Sequence, residues 1–223
     1  MKNAAPDNLK KLLVDGSRQL DIALDLDQQE AFMGYLAALQ RWNRVYNLSA
    51  IKDGQEIIYR HFLDSLTFLP FLSGISGPVL DLGTGAGFPG LPLALLLPAT
   101  HFLLVEARQK KVLFLQHVTR LLGLENVDIL QLHLHKGNGS TEELEIPVAA
   151  LVTRAVSVPD EVFPIAGEVL APGGMVLLSA TVSSQAKIMA ALSLYEKLRL
   201  KEIKKVTIPF LEQQRYMIRI IKV

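Results

Sequence analysis

The chain contains no cysteine. That excludes disulfides, thiolate metal sites and a cysteine nucleophile, and it suits a reducing compartment. A long apolar run is also missing. The longest, Leu91 to Leu97, is interrupted by Pro92 and closed by Pro98, well short of the ~20 residues that cross a bilayer. Met1 to Leu20 carries charges throughout and has no sustained apolar stretch of the kind a secretory leader needs. The expectation is a cytoplasmic protein with no membrane partner. An excess of either charge is lacking too: the formal net charge is +1 and the pI near 7.9, so any contact with a polyanion must use local clusters of cations. No internal repeat or low-complexity tract interrupts the chain. What is present, 223 residues with 50% hydrophobic and 20% charged side chains, suffices for one full core and a smaller appendage.

The character of the chain changes at Ser73-Gly74-Ile75-Ser76-Gly77-Pro78, which divides a helical extension or lid, residues 1–76, from residues 77–223. In the first part Phe32, Tyr35, Leu36, Leu39 and Trp42 form one helical stripe, and Asp27 with Glu30 reads as a capping box. The three aromatic residues read as core packing rather than as a platform for stacking bases. A second helix is predicted from about Gln55 to Leu72, with Ile58, Phe62, Leu66 and Leu69 inward. Asn43 to Ile51 fits neither period and reads as an ordered loop. Beyond the boundary, short apolar runs alternate with helical segments, as in βαβ units around a parallel sheet with helices on both faces. Strands are predicted at Val79–Leu82, Phe102–Val105, Val127–Leu132, Ala149–Thr153 and Met175–Ser179. Helices are predicted near Gly90–Leu97, Gln109–Leu122, Asp160–Leu170 and Ser184–Leu198. Lys201–Ile208 and Arg215–Val223, joined through Pro209, complete seven strands as a terminal antiparallel hairpin.

The chemistry concentrates in Val79-Leu80-Asp81-Leu82-Gly83-Thr84-Gly85-Ala86-Gly87-Phe88-Pro89-Gly90, an apolar strand running through a glycine loop into a helix. Glycine lets the backbone turn tightly and approach a ligand while helix N-terminal amides face it. Gly85, Gly87 and Gly90 also satisfy G-x-G-x-x-G, so a dinucleotide competes for this loop. Asp81 before an early Gly83 favours a ligand carrying an ammonium and a sulfonium, S-adenosylmethionine, since a carboxylate there repels a pyrophosphate. Glu106, 23 residues beyond Gly83, ends the next strand, where an acid accepts bonds from both ribose hydroxyls of either cofactor. Asp81 and Glu106 also have a plain reading as helix-capping acids. Leu170-Ala171-Pro172-Gly173-Gly174, leading into an apolar strand, is the pattern before the fifth strand of class I methyltransferases, a Rossmann-like fold.

Other charged residues are more ambiguous. Arg60 and Asp64 lie one helical turn apart and read as a solvated ion pair, with His61 and Ser65 at the same spacing. Lys110 and Lys111, with Arg108, either bind phosphate or solvate a helix. His133 and His135 share one strand face as a metal pair would, but with no cysteine and no third ligand no metal is expected. Arg154 ends the fourth strand, on the side of the sheet where ligands bind.

With these residues in view, the chain resembles the bacterial small-subunit ribosomal RNA guanine-N7 methyltransferase family RsmG, also called GidB, over most of its length. The resemblance rests on Trp42-Asn43 with Asn47-Leu48-Ser49-Ala50-Ile51, on Arg60-His61-Phe62-Leu63-Asp64-Ser65-Leu66, and on the glycine loop continued by Phe88-Pro89-Gly90-Leu91-Pro92-Leu93-Ala94. Lys110-Lys111 with Phe114-Leu115, Leu124-Glu125-Asn126-Val127 and Arg154-Ala155 add to it. It implies that Gly83 and Phe88 contact S-adenosylmethionine, that Leu134 and His135 flank its adenine, and that Arg154 lies beside it. Arg60, His61, Lys110 and Lys111 would help hold 16S ribosomal RNA or a small-subunit particle, by a protein expected to be monomeric. Two segments depart from the family pattern: His133-Leu134-His135 replaces Arg-x-Glu, and Ser179-Ala180-Thr181 replaces a Lys-Gly, removing one cation. Three other readings compete: a small-molecule methyltransferase on the same fold, a nicotinamide oxidoreductase, and a non-catalytic RNA-binding relative.

Overall fold

The computed structural model describes residues 6–133, 144, 147–154, 159–212 and 214–223. Seven strands form one sheet in the order β3-β2-β1-β4-β5-β7-β6. They are β1 Val79–Leu82, β2 Phe102–Val105, β3 Val127–Leu130, β4 Val148–Thr153, β5 Leu170–Ala180, β6 Leu198–Thr207 and β7 Gln214–Lys222. β1 to β5 are mutually parallel, and β7 runs antiparallel between β5 and β6. The chain reverses its order of travel beside β1, so the ends of β1 and β4 border the crevice in which ligands of open α/β sheets sit.

The strands in the middle of the sheet are nearly all apolar because both of their faces are covered. Side chains alternate between the faces. Val79, Phe102, Leu104, Ala150, Val152 and Leu177 enter one core, and Leu80, Leu103, Val105, Leu151, Val176 and Leu178 the other. The second core is closed by α8 Pro159–Val169 and α9 Val182–Leu192. The first is closed by α6 Gly90–Leu96 and α7 Gln109–Leu121, together with the N-terminal helices. Those are α1 Pro6–Gln19, α2 Leu26–Tyr46, and a segment made of α3 Gly54–Ile57, a π-helix Ile58–Leu63, α4 Asp64–Leu66 and α5 Leu69–Leu72. Leu13, Phe32, Leu39, Phe62 and Leu66 are fully buried in the same cluster as Val79 and Leu104. The N-terminal helices therefore have no separate core of their own.

Several expectations require correction. The capping box of α2 is Asp25 with Gln28, not Asp27 with Glu30: Asp25 Oδ1 accepts the Gln28 amide at 2.8 Å and Gln28 Oε1 accepts the Asp25 amide at 3.1 Å. Burial of Leu24 fixes the entry of the chain just before Asp25. α2 runs on to Tyr46, so only the later part of Asn43–Ile51 is loop; buried Asn43 orders it through its Oδ1 to the Ser49 amide and its Nδ2 to the Ser49 and Ile51 carbonyls. The helix expected over Gln55–Leu72 is broken and contains the π-helical turn, although Ile58, Phe62 and Leu66 point inward as their spacing requires. α9 ends at Leu192 rather than Leu198, α1 had no counterpart in the sequence reading, and β5 begins at Leu170, before the Pro-Gly-Gly. A side chain at Gly174 would crowd the Ala171, Ala149 and Val148 carbonyls.

Because one core spans the N-terminal helices and the sheet, Phe32→Ala should lower the stability of the whole molecule by about 3–5 kcal/mol. Urea unfolding followed by far-ultraviolet circular dichroism should show a single transition at a lower midpoint. Separate transitions for the helices and the sheet would contradict this.

Candidate functional site

The glycine loop leaves β1 at Leu82 and reaches α6 at Gly90. Gly83, Gly85 and Gly87 have φ of +70°, +67° and +97°, a region L-residues rarely occupy. At Gly87 a side chain would also collide with Leu91 and the Tyr35 hydroxyl, and at Gly90 with Leu104 and Asp81. Asp81 is fully buried, and its Oδ2 accepts the Gly90 amide at 2.8 Å. It therefore holds the first residue of α6, as a capping acid would. Its Oδ1 and the hydroxyl of Thr84 are buried with no partner other than each other. Burial raises the Asp81 carboxyl to about 6, against the opposing influence of the nearby Thr84 hydroxyl, the Gly90 amide and Arg154.

A cavity of about 340 Å³ opens at the ends of β1, β2 and β4 and is lined by Gly83, Glu106, Lys111, Thr153, Glu161 and neighbours, with Leu132 and His133 at one side. Glu106 is buried; its Oε1 accepts the Arg108 amide at 2.9 Å, and its Oε2 lies 3.6 Å from Lys111 Nζ. Asp81, Gly85, Gly87 and Phe88 are not among the residues that line it. Leu134 and His135, assigned to the adenine, lie outside the described residues. Among the described residues no cluster of His, Asp and Glu could hold a metal, and no helix is long and apolar enough to cross a membrane.

On the other side of the β4 end, a groove of about 750 Å³ is lined by residues that include Arg60, His61, Asp64, Arg154 and Arg215. Here Arg60 and Asp64 are not the surface pair their spacing suggested. Arg60 pairs with Glu56, while buried Asp64 receives Arg154 Nη1 at 3.0 Å and lies 3.8 Å from Arg215 Nε. Arg154 also donates from Nη1 to the Arg60 carbonyl at 2.9 Å, and its Nη2 lies 3.2 Å from His61 Nδ1. A guanidinium cannot accept a hydrogen bond, so His61 Nδ1 is the acceptor and Nε2 carries the proton, which it donates to Ser49 Oγ at 3.0 Å. Burial, reinforced by the Arg154 charge, holds His61 neutral, with its pKa lowered to about 3.

Phe88 joins the two halves of the site. Its ring stacks on His61 at 4.5 Å and 12°, and on Tyr35 at 5.3 Å and 10°, with the Arg154 guanidinium 5.2 Å from its centroid. Tyr35 also donates its hydroxyl to the Ala86 carbonyl inside the glycine loop. The sequence reading placed Tyr35 in the core, where it is 1% exposed, but missed that its polar tip clamps the loop; a tyrosine on an otherwise apolar stripe was the available signal. The expected Lys110-Lys111 pair is split, because Lys111 turns to Glu106 while Lys110 Nζ donates to the Tyr46 carbonyl at 2.9 Å. Ser179 and Thr181, read as lacking a cation, line the groove together with Lys187.

With this geometry in place, the relatives decide between the readings. Residues 28–218 match the family model described as GidB, rRNA small subunit methyltransferase G. The chain belongs to this family. It is 34% identical to the ribosomal RNA small subunit methyltransferase G of Burkholderia multivorans, covering 96% of this chain and 92% of that protein. With the protein of the same name from Cellvibrio japonicus it shares 32% identity, covering 94% of each. By this membership it is a small-subunit ribosomal RNA methyltransferase, and its sheet and N-terminal helices are the expected class I arrangement. The fold is also that of an O-methyltransferase from Bacillus cereus, at 14% identity and a TM-score of 0.62 over 98% of this chain and 100% of that one. A SAM-dependent O-methyltransferase from Thermotoga maritima is similar at 18% identity and a TM-score of 0.55, over 72% of this chain and 64% of that one.

The buried Asp81 and the half-buried His61 oppose each other in acid. Asp81 titrates near 6 in the fold against an ordinary 3.8, so its contribution to stability is lost as pH rises through 6. His61 titrates near 3 against 6.5, so its contribution is intact above 6.5 and lost as pH falls toward 3. Asp81→Asn should therefore make the unfolding free energy, measured in urea, fall more steeply between pH 6 and 4, by up to about 1.4 kcal/mol per pH unit. A slope equal to that of the unaltered protein would show that Asp81 titrates no higher in the fold than outside it.

Proposed function

We propose that the cavity beside Gly83 and Glu106 holds S-adenosylmethionine and that the protein methylates N7 of a guanine in 16S ribosomal RNA, acting as a cytoplasmic monomer on the RNA or on a small-subunit particle. The observation that carries this reading is the built cavity at the reversal point of the sheet, with a carboxylate at the end of β2, in a chain of this family. Three features fit the cofactor. Glu106 has the position for two ribose hydroxyls. Lys111 holds that carboxylate in place, and Asp81 anchors the glycine loop through the Gly90 amide. Gly85, Gly87 and Phe88 shape the loop, while Leu134 and His135 remain assigned to the adenine by family resemblance.

When bound, S-adenosylmethionine supplies an electrophilic methyl group for attack by the lone pair of guanine N7. That nitrogen carries no proton, so no side chain has to act as a general base. The neutral, Arg154-facing His61 is accordingly read as a positioning group rather than as a base. Catalysis then consists of orientation and electrostatics. The Arg154 guanidinium, fixed by Asp64, the Arg60 carbonyl, His61 and the face of Phe88, gives the acceptor side a rigid edge, and no residue is singled out as catalytic. N7 lies on an edge that side chains cannot reach in the narrow major groove of A-form RNA. The target guanine is therefore unpaired or turned out of its stack. Arg60, His61 and Arg154 face that side, Lys110 lies on the outer surface of α7, and the helices of residues 1–76 serve as the RNA-side lid.

The test is transfer of labelled methyl from S-adenosylmethionine to 16S ribosomal RNA, supplied naked and in particles, followed by nucleoside analysis. Labelled 7-methylguanosine is expected. Lys110→Glu should weaken transfer with cofactor affinity unchanged, whereas Lys111→Glu, by repelling Glu106, should weaken cofactor binding on the order of tenfold. Cofactor binding without label in any RNA would contradict the RNA reading and favour a small-molecule acceptor.

A further inference from the structure

The groove beside Arg154 has a chemistry of its own. Four cations reach it from four separate elements: Arg60 from the π-helix, Arg154 from the end of β4, Lys187 from α9 and Arg215 from β7. Among the described residues, Asp64 stands against Arg154 and Arg215, and Glu56 against Arg60. Thr181 and Ser183 add a pair of mutually bonded hydroxyls to the lining. Among the described residues lining the groove, Ile51 is the only apolar one.

That composition suits one part of a nucleic acid. A base is held by stacking on flat apolar or aromatic surface, and the one aromatic ring among the described lining residues, His61, is already stacked on Phe88. A phosphodiester has charged oxygens for guanidinium and ammonium groups and ester oxygens for hydroxyl donors. At about 750 Å³ the groove falls in the size range of sites for whole small molecules, so it has room for more than one isolated phosphate. It also begins at Arg154, one residue past Thr153 of the cofactor cavity, so a strand lying in it is brought to the methyl-transfer position.

Resting on the RNA reading above, we propose that this groove is the track for the sugar-phosphate backbone of the RNA strand flanking the target guanine, with Lys187 and Arg215 as phosphate-contacting residues on the side formed by α9 and β7. The two ends of the Arg154 network divide the work. His61 and Phe88 fix the guanidinium toward the cofactor loop, and Asp64 ties it to Arg215, so one buried carboxylate sets the spacing of two phosphate-facing cations. Lys187 adds a charge from the exposed surface of α9, where substitution leaves the core untouched.

The experiment measures binding of 16S ribosomal RNA and single-turnover methyl transfer for Lys187→Ala and Lys187→Glu across a range of salt concentrations. Cofactor affinity is measured alongside. Lys201→Ala, on β6 and away from the groove, is the charge-matched control. Lys187→Ala should weaken RNA binding several-fold and lower the slope of log affinity against log salt by about 0.7, the loss of one phosphate contact. Lys187→Glu should be weaker still, with cofactor affinity unchanged in both and Lys201→Ala like the unaltered protein. RNA affinity and salt slope unchanged in Lys187→Glu, with the unaltered protein still methylating RNA, would overturn the track alone, as would an equal loss in Lys201→Ala. No methyl transfer to RNA by the unaltered protein would overturn the functional reading and the track with it.

Discussion

The stacking of Phe88 on both His61 and Tyr35 is the contact on which the rest of the site depends. Each such aromatic pair adds about 0.5–1.5 kcal/mol beyond the area it buries, but the geometry matters more than the energy. Phe88 belongs to the glycine loop, Tyr35 to α2, and His61 to the π-helix. The loop is thus clamped at its far end by two elements that the sequence places before the sheet. Tyr35 adds a bond to the Ala86 carbonyl, and Asp81 anchors the same loop from β1 through the Gly90 amide. A loop rich in positive-φ glycine would otherwise have many conformations to lose on binding a ligand. Fixed on three sides, it presents Gly83 and the β1 end to the cavity already in shape.

The electrostatics of the site follow from the same contact. His61 can accept from Arg154 only while it is neutral, and burial beside that guanidinium keeps it so. Arg154 in turn needs Asp64, which is buried and shared with Arg215. A single carboxylate therefore organises two arginines from β4 and β7, and the π-helical turn aims His61 and Asp64 at them. The cavity side is arranged separately, with Glu106 held by the Arg108 amide and Lys111. The β4 end, Thr153 and Arg154, is where the two halves meet.

The sheet was legible because its strands are apolar on both faces and bounded by turn residues: β1 and β2 fall on the expected residues, and β4 differs by one. Glu106, Gly83 and Arg154 were legible for a related reason, since the ends of parallel strands are where this fold puts its chemistry. The misses have physical causes as well. Asp25-x-x-Gln28 and Asp27-x-x-Glu30 are equivalent as strings, and only the burial of Leu24 selects between them. A spacing of four residues makes Arg60 and Asp64 partners on an ordinary α-helix. The cations of β4 and β7, 90 and 151 residues further on, claim Asp64, which nothing local records, while Arg60 takes Glu56, a rival partner at the same four-residue spacing that the sequence does show. Lys187 and Arg215 are brought to the groove by sheet topology alone, which a linear reading does not contain.

Stacking on Phe88 holds the glycine loop in the shape proposed to bind S-adenosylmethionine. Calorimetric titration of S-adenosylmethionine into Phe88→Leu tests it most directly, because leucine keeps apolar volume beside Tyr35 and His61 and removes the ring. The account predicts that the variant keeps the fold, seen as an unchanged far-ultraviolet circular dichroism spectrum, and binds the cofactor at least about tenfold more weakly, a loss of about 1.4 kcal/mol. Affinity equal to that of the unaltered protein would show that the loop keeps its shape without the stack, and would contradict the account.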